Sequence, residues 1–267
     1  MPEAAFRTIR DLARREAGLT IPDSKRTLVQ SRIARRLRAL KLKDFDSYVA
    51  IVTAGDDVAK AEMREMISVL TTNVTSFFRE SHHFDLLRDE VLVPRMKAGG
   101  RMRIWSSACS TGQEPYSIAI TILKADAEAA RRDIRVLATD IDPAVLERAR
   151  AGTYPTSQAT GLPREDAQRF FFEDGSNWRA KPALTELVAF RELNLLTPWP
   201  MKGRFDAIFC RNVVIYFDDD TQRKLWPRFE AALEPGGWLF LGHSERIQDG
   251  VATSLERAGV TAYRKRR

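Results

Sequence analysis

The 267-residue sequence has little cysteine and no long apolar run. Its two cysteines, Cys109 and Cys210, are too few and too far apart for a disulfide framework or a clustered zinc site. No apolar stretch approaches the ~18 residues of a membrane-spanning helix. The N-terminal stretch MPEAAFRTIRDLARRE lacks the uninterrupted apolar segment of a signal peptide. These absences predict a cytoplasmic enzyme or regulator with no metal centre and no segment inserted in a membrane.

The net charge of +7 comes from the N-terminal part of the chain. Residues 1–43 hold twelve Lys or Arg and four Asp or Glu, whereas the remainder is close to neutral. A local basic excess indicates a polyanionic partner, which could be nucleic acid, an anionic membrane or an acidic protein. The charge alone does not choose among these partners.

Two regions of the sequence follow different hydrophobic patterns. In residues 1–92 the three- and four-residue spacing of apolar side chains predicts helices. The predicted buried positions are Phe6, Ile9, Leu12, Val29, Ile33, Leu37, Leu40, Met63, Met66, Ile67 and Leu70. Asp44 is a predicted N-cap of the third helix. From about residue 101, strand and helix patterns alternate, which predicts an α/β unit with a mostly parallel sheet.

The strand candidates of this second region are MRIWSSA, IRVLATD, VAFRELN, FDAIFC and GWLFLGH. A helix over DDTQRKLWPRFEAALE is expected to end at Pro235-Gly236-Gly237, and SLERAGVTAYRKR reads as a hairpin around Ala258-Gly259. Residues 153–187 interrupt the alternation with several prolines and glycines and an aromatic cluster. We therefore expect an inserted subdomain with small strands.

Polar residues recur at the predicted strand ends: Glu114, Asp140, Asn194 and Asn212. In parallel sheets such ends form the ligand crevice, where an acidic residue after the second strand can accept both ribose hydroxyls. Asp140 is the candidate for that role, whereas Asp142 before Pro143 reads as a helix N-cap. The loop SSACSTGQEPYS is neither a P-loop nor G-x-G-x-x-G, which disfavours a pyrophosphate cofactor. Acidic residues suit a positively charged nucleoside such as S-adenosylmethionine, with a nucleotide-binding dehydrogenase as the open alternative.

Several longer segments resemble the CheR-type chemotaxis receptor methyltransferases. They are TNVTSFFRE (72–80) with the following HHF, SSACSTGQEPYSIAI, LATDIDPAVLERARAGTY, LNLL, FDAIFCRNVVIYFD and PGGWLFLGHSE, in the same order. The resemblance implies a helical substrate-recognition domain over residues 1–80 and a linker helix over 81–94. It also implies a Rossmann-like catalytic domain over 95–267 with an inserted β subdomain at about 153–190.

The resemblance implies an enzyme that transfers a methyl group from S-adenosylmethionine to receptor glutamates, forming glutamyl methyl esters for sensory adaptation. A glutamate carboxylate is ionised at neutral pH, so it is its own nucleophile and needs only orientation. Arg79 and Tyr216 are our candidates for orienting it. By motif, the cofactor contacts would be Asn73, Thr75, Arg79, Glu114, Asp140, Asn194, Leu195, Arg211 and Asn212.

The basic helix LVQSRIARRLRALK predicts an arginine face beside its apolar stripe, because Arg32, Arg35 and Arg36 share one side at 3.6-residue periodicity. The resemblance implies that this face binds the acidic helical methylation region of receptors, through Arg32, Arg35, Arg36 and Arg38. The turn EDGSNWRAKP looks shorter than that of family members that bind a receptor-tail peptide, so we expect methylation that does not depend on such a tail. We also expect a monomer. The basic region carries little aromatic interleaving, so we expect no nucleic-acid partner. An RNA methyltransferase and a noncatalytic S-adenosylmethionine-binding regulator remain the alternatives.

Overall fold

A computed structural model describes residues 1–267 and divides the chain into two compact units. The first comprises residues 1–72 and 216–221, and the second comprises residues 73–215 and 222–267. None of the helices combines the length and the apolar character that crossing a bilayer would require.

The first unit contains four helices: α1 (Glu3–Ala17), α2 (Arg26–Ala39), α3 (Phe45–Thr53) and α4 (Asp57–Leu70). The predicted N-cap of α3 is confirmed, because the Asp44 carboxylate accepts the Ser47 N–H at 2.8 Å. The exception to the predicted apolar stripe of α2 is Leu40, which lies just beyond the helix end and is 37% exposed. The core of the unit consists of Phe6, Ile9, Leu12, Val29, Ile33, Leu37, Tyr48, Val52 and Met66.

A buried carboxylate on α4 joins three helices of this unit. Glu62 accepts hydrogen bonds from Arg36 Nε and Nη2 at 2.9 and 2.7 Å. The Tyr48 hydroxyl donates to the same carboxylate at 2.9 Å, and burial raises the pKa of that phenol. Arg36 Nη1 also pairs with Glu65 at 2.9 Å. The bidentate geometry makes Arg36 a structural link between α2 and α4.

The expected outward arginine face is therefore only half present. Arg32 donates to the Leu70 and Thr71 carbonyls at 2.6 and 2.9 Å, which satisfies acceptors at the end of α4. Arg35 and Arg38 are exposed, as expected. Helical spacing placed Arg32, Arg35 and Arg36 near one face but could not show that α4 binds Arg32 and Arg36.

After residues 73–81, the second unit contains a helical run and then alternates strands and helices, as predicted. The run consists of α5 (His82–Leu86), a π-helical turn (Leu87–Leu92) and α6 (Val93–Ala98). The following elements are β1 (Met102–Ser106), α7 (Gln113–Ala125), β2 (Ile134–Asp140), α8 (Pro143–Ala151), β3 (Thr153–Pro155), α9 (Arg164–Phe170), β4 (Phe171–Asp174), β5 (Asn177–Ala180), α10 (Pro182–Thr185), β6 (Val188–Glu192), β7 (Phe205–Cys210), α11 (Asp219–Ala232), β8 (Leu233–Leu241), β9 (Leu255–Gly259) and β10 (Ala262–Lys265).

The main sheet has seven strands in the order β6-β2-β1-β7-β8-β10-β9. The first five run parallel, and β10 and β9 add an antiparallel edge. This confirms the predicted mostly parallel, Rossmann-like sheet. Every residue of β7 is buried, as is typical of a central parallel strand. Because β2 and β6 lie on one side of β1 and β7 on the other, the topological switch point falls between β1 and β7.

Two local predictions about the end of the chain are wrong by a few residues. Residues 235–237 lie inside β8, which starts at Leu233 immediately after α11. The register between β7 and β8 shifts near the start of this segment, and that irregularity accommodates the proline and glycines. The final hairpin turns at residues 260–261, because Gly259 already pairs with Ala262 and Thr261 has a φ of 48°.

The inserted segment carries a small antiparallel sheet in the order β3-β5-β4. Phe77, from the stretch that follows the helical unit, meets Tyr154 and Phe171 edge-on at ring separations of 5.0 and 5.7 Å. Phe77 is 1% exposed. This packing explains why the helical unit ends at Thr72, before the boundary expected at residue 80, and why residues 73–80 belong to the second unit.

We predict that Glu62→Ala lowers the free energy of unfolding by about 3 kcal/mol, because it leaves Arg36 without its main carboxylate and Tyr48 without an acceptor. Urea titration followed by circular dichroism measures this change. Glu65→Ala is the matched control: its carboxylate also pairs with Arg36 but is 50% exposed, so the loss should stay below about 1 kcal/mol. Equal losses in the two variants would contradict the central role of Glu62.

Candidate active site

The loop after β1 is tied to both neighbouring strands at the switch point. The Ser107 N–H and hydroxyl donate to the Phe209 carbonyl of β7 at 2.9 and 3.1 Å. The Cys109 N–H donates to the Thr139 carbonyl of β2 at 2.8 Å. Burial raises the pKa of the Cys109 thiol, which suits a small filler and not a nucleophile. The loop is thus held in one shape at the edge where ligands of such sheets bind.

Asp140 ends β2 beside this loop with spare hydrogen-bonding capacity. Its Oδ2 accepts the Ser110 N–H at 2.8 Å and its Oδ1 accepts the Asp142 N–H at 3.0 Å. A carboxylate can accept about four hydrogen bonds, so Asp140 retains acceptor capacity of the kind that a ribose hydroxyl would need. Burial raises the Asp140 pKa to about 6, although these N–H bonds favour the ionised form. The Asp140 carboxylate, as a hydrogen-bond acceptor at this edge, therefore fits the hydroxyl groups of a nucleoside.

Asp142 connects the second strand end to the stretch before α5. It caps α8, as predicted, by accepting the Ala144 N–H at 2.9 Å. Its other oxygen accepts a bond from Asn73 Nδ2 at 3.1 Å, and the Ser110 hydroxyl donates to the Asn73 carbonyl at 3.1 Å. Asn73 is therefore held against the loop after β1 and the residue that caps α8 after β2. Nearby Thr75 is half-buried.

Arg211 follows β7 and has only 2% of its side chain exposed. Its Nη1 donates to Glu114 at 3.0 Å, while its Nη2 lies 3.3 Å from Glu80 and donates to the Arg79 carbonyl. The Ser106 hydroxyl donates to the other oxygen of Glu114 at 2.7 Å. Burial raises the Glu114 pKa, and Arg211 opposes that rise. Two of the three guanidinium nitrogens of Arg211 thus bind groups of the chain itself, while its buried Nε has no hydrogen-bond partner.

Glu80 is the second carboxylate that holds Arg211. It also accepts bonds from the backbone N–H and Nδ1 of His243 at 3.2 and 3.3 Å. Burial alone would raise the Glu80 pKa, but the Arg211 charge and the His243 N–H hold it below its usual value. Glu80 therefore joins the stretch before α5 to the loops after both β7 and β8.

Arg79 lies between two residues in the left-handed region, Phe78 at φ 49° and Glu80 at φ 56°. Such conformations are uncommon for residues other than glycine and concentrate at functional sites. The Arg79 guanidinium makes one hydrogen bond, to the Val74 carbonyl at 3.1 Å, and pairs with no carboxylate. It is half-buried. Arg79 is therefore a cation that the fold positions but does not neutralise.

The remaining predicted cofactor residues follow β6 and β7 along the same edge. Asn194 accepts the Leu196 N–H at 2.9 Å, which shapes the turn after β6. Leu195 is buried, and its carbonyl accepts a bond from Arg228 at 2.7 Å. Asn212 adopts φ 57° immediately after Arg211. The structure thus places all nine predicted cofactor residues in the second unit.

Tyr216 belongs to the helical unit, together with the four predicted substrate-binding arginines. Its carbonyl accepts the Thr20 N–H at 2.8 Å, and its hydroxyl lies 3.5 Å from the Thr72 carbonyl. Sequence reasoning missed Glu80 and Glu245, two carboxylates that bind backbone groups of this edge. Their place in the segments TNVTSFFRE and PGGWLFLGHSE was the only signal for them.

Both units match known protein families. Residues 73–264 match the family described as "CheR methyltransferase, SAM binding domain", and residues 4–71 match "CheR methyltransferase, all-alpha domain". The "Probable chemotaxis protein methyltransferase" of Rhizobium etli is 45% identical over 256 residues, which cover 93% of this chain and 95% of the relative. The "Chemotaxis protein methyltransferase" of Salmonella typhimurium is 42% identical over 268 residues, which cover 98% of this chain and 90% of the relative.

We predict that the Asp140 carboxyl titrates with a pKa of about 6 in the ligand-free protein, well above the usual value near 3.9. The folded state then binds this proton more tightly than the unfolded state does. The free energy of unfolding of the wild type should therefore fall as the pH rises from about 4 through about 6. Asp140→Asn should not show this fall, because an amide at position 140 does not titrate. Carbon-13 NMR of the carboxyl and urea titrations across this range measure both effects. Parallel stability curves for the two proteins would contradict the raised pKa.

Proposed function

Because the chain belongs to the CheR methyltransferase family, we propose that it transfers a methyl group from S-adenosylmethionine to glutamate side chains of chemotaxis receptors. The protein is thus an S-adenosylmethionine-dependent protein-glutamate O-methyltransferase. The observation that carries this function is the pair of family matches, which together span residues 4–71 and 73–264. The relatives named as chemotaxis methyltransferases extend over nearly the same length.

The groups at the carboxyl edge support the proposed cofactor contacts. Asp140 offers a carboxylate acceptor for ribose hydroxyls, and Glu114 offers negative charge for the cationic methionyl end. When bound, S-adenosylmethionine supplies a methyl group on a positively charged sulfur. We propose that the residues that hold it are Asn73, Thr75, Arg79, Glu114, Asp140, Asn194, Leu195, Arg211 and Asn212.

The proposed chemistry requires the chain to position the substrate and not to move a proton. A receptor glutamate has a reference pKa near 4.3 and is therefore an ionised nucleophile at neutral pH. No general base and no metal is needed for its attack. Positioning of this kind can contribute roughly 7–11 kcal/mol in ideal cases.

We assign the positioning of the substrate carboxylate to Arg79, with Tyr216 as its proposed partner. Arg79 has no carboxylate partner within the chain, whereas the guanidinium of Arg211 lies between Glu80 and Glu114. A very tight ion pair would lower the nucleophilicity of the substrate carboxylate and stabilise the ground state. The Arg79 guanidinium makes a single hydrogen bond, to the Val74 carbonyl. This bond orients the side chain and leaves its other N–H groups available to the substrate carboxylate.

The partner surface follows from the exposed part of α2. We propose that Arg35 and Arg38 attract the acidic helical methylation region of the receptor, while Arg32 and Arg36 hold α4 in place. Charge complementarity of this kind raises the rate at which the two proteins associate and orients the receptor helix on α2. We further propose a monomer that acts in the cytoplasm on protein and not on nucleic acid, because the basic segment carries little aromatic interleaving.

We also propose that methylation does not depend on a receptor-tail peptide. In the inserted sheet, β4 ends at Asp174 and β5 begins at Asn177, so only two residues connect them. So short a turn leaves no extended glycine-rich segment to close over a bound peptide. The absence of such a segment supports activity on receptors that lack the tail.

We predict that Arg79→Ala lowers kcat/KM for receptor methylation about a hundredfold or more, because the substrate carboxylate loses its orienting cation. The assay incubates receptor-containing membranes with radiolabelled S-adenosylmethionine and measures methyl groups released by base, the signature of an ester. Arg164→Ala, which removes an exposed arginine of the same unit, is the control and should leave the rate unchanged. Base-stable incorporation, or incorporation into RNA, would contradict the function, and cofactor binding without turnover would favour a noncatalytic regulator.

We predict that Arg35→Glu with Arg38→Glu raises the KM for receptor at least tenfold while cofactor affinity stays unchanged, because both side chains are exposed.

We also predict that the wild type methylates receptors with and without their C-terminal tail at equal rates in the same assay.

The matched control is Arg7→Glu with Arg15→Glu, which makes the same charge change on exposed positions of α1. An equal KM increase in this control would show a general charge effect and contradict a specific surface on α2. A clearly slower wild-type rate on the tail-less receptor would contradict tail independence.

A further inference from the structure

Glu245 places one buried carboxylate between the loops that follow β7 and β8. Its Oε2 accepts the N–H groups of Asn212 and Gly242 at 2.8 and 2.6 Å. Its Oε1 accepts three more N–H groups, from Val213, Val214 and Ile215, at 2.8, 2.9 and 3.3 Å. Five backbone donors from two adjacent strand ends therefore meet on a single side chain.

The Glu245 charge is held by backbone dipoles alone. The side chain belongs to a residue that is 4% exposed, and no lysine, arginine or histidine forms an ion pair with it. Burial raises the Glu245 pKa, whereas the converging N–H groups favour the ionised form. Successive N–H groups that point to one concavity form an anion-binding nest, and here the anion is supplied by the chain itself.

The surrounding backbone is shaped to admit this carboxylate. A Cβ at Gly242 would lie 2.5 Å from Asn212 Nδ2 and 2.8 Å from Glu245 Oε2, so only glycine fits there. Asn212 adopts the left-handed conformation, which turns its N–H toward Glu245. Asn212, the residue that follows Arg211, therefore packs its side chain against Gly242.

We propose that Glu245 is the positioning residue that fixes Asn212 and its turn at the carboxyl end of β7 for cofactor binding. The inference rests on the proposed function, in which Asn212 contacts S-adenosylmethionine. Both Glu245 oxygens are taken by backbone N–H groups, so its effect reaches the ligand through Asn212. Consecutive N–H groups from residues 212–215 converge only while an acceptor stabilises their turn.

Glu245→Gln tests this with almost no change of shape. In either orientation of the amide, its NH₂ group faces at least two N–H groups that previously had an acceptor. We expect the Kd for S-adenosylhomocysteine, measured by calorimetry, to rise about tenfold, equivalent to about 1.4 kcal/mol. Amide hydrogen exchange should quicken at residues 212–215 and at Gly242.

The control is Glu230→Gln, because the Glu230 carboxylate accepts a backbone N–H as well, from Ser254 at 3.0 Å, at the start of the β9 hairpin. Its Kd should equal that of the wild type. A double-mutant cycle with Asn212→Ala separates positioning from general stability. If Glu245 acts through Asn212, Glu245→Gln adds little in the Asn212→Ala background.

Three results would overturn the inference: an unchanged Kd in Glu245→Gln, fully additive losses in the cycle, or an equal loss in Glu230→Gln. In each of these the wild type still binds S-adenosylhomocysteine, so the proposed function stands. A wild type that does not bind S-adenosylhomocysteine would instead remove the proposed function and, with it, this inference.

Discussion

Arg211 holds a guanidinium inside the second unit with 2% of its side chain exposed. A buried cation is costly unless its charge is paired. Glu80 and the Arg79 carbonyl come from the stretch before α5, and Glu114 comes from the first turn of α7. One charge therefore fixes the stretch before α5, the helix after β1 and the end of β7 relative to one another. The rest of the candidate site is built on these three segments.

The acidic residues of this edge differ in what their charge does. Glu80 is paired with Arg211, Glu245 is surrounded by five N–H groups, and Asp140 accepts bonds from the Ser110 and Asp142 N–H groups. The pKa directions follow: the cation lowers that of Glu80, whereas burial raises those of Glu245 and Asp140. A ligand with hydroxyl donors would therefore gain most at Asp140, where acceptor capacity remains unused.

Periodicity and local rules predicted the elements that depend on neighbours in sequence. The apolar stripe of α2 and the N-caps Asp44 and Asp142 follow from residues within one or two turns. The parallel sheet follows from strand–helix alternation, and the strand-end rule predicts that Asp140 lies at the carboxyl edge of this sheet.

The remaining features depend on pairings between distant positions, which no local pattern contains. Arg36 reads as a surface charge until Glu62, on another helix, is placed beside it. Glu245 reads as an ordinary loop carboxylate until the turn at residues 212–215 closes on it. Charged side chains are thus the residues whose roles single-sequence reasoning assigns least well, because exposure and burial of a charge have the same sequence signature.

The placement of the histidines agrees with a reaction that moves no proton. Burial lowers the His83 pKa to about 4, and its Nε2 lies 3.1 Å from both the Val260 carbonyl and the Thr261 hydroxyl. His243 faces Glu80, which already belongs to the Arg211 cluster. Both imidazoles are engaged in contacts within the chain, and neither is assigned a role as general base. An amine or hydroxyl acceptor would need such a base, whereas an ionised carboxylate does not. For a carboxylate substrate, the catalytic demand therefore falls on the positioning of the reacting groups.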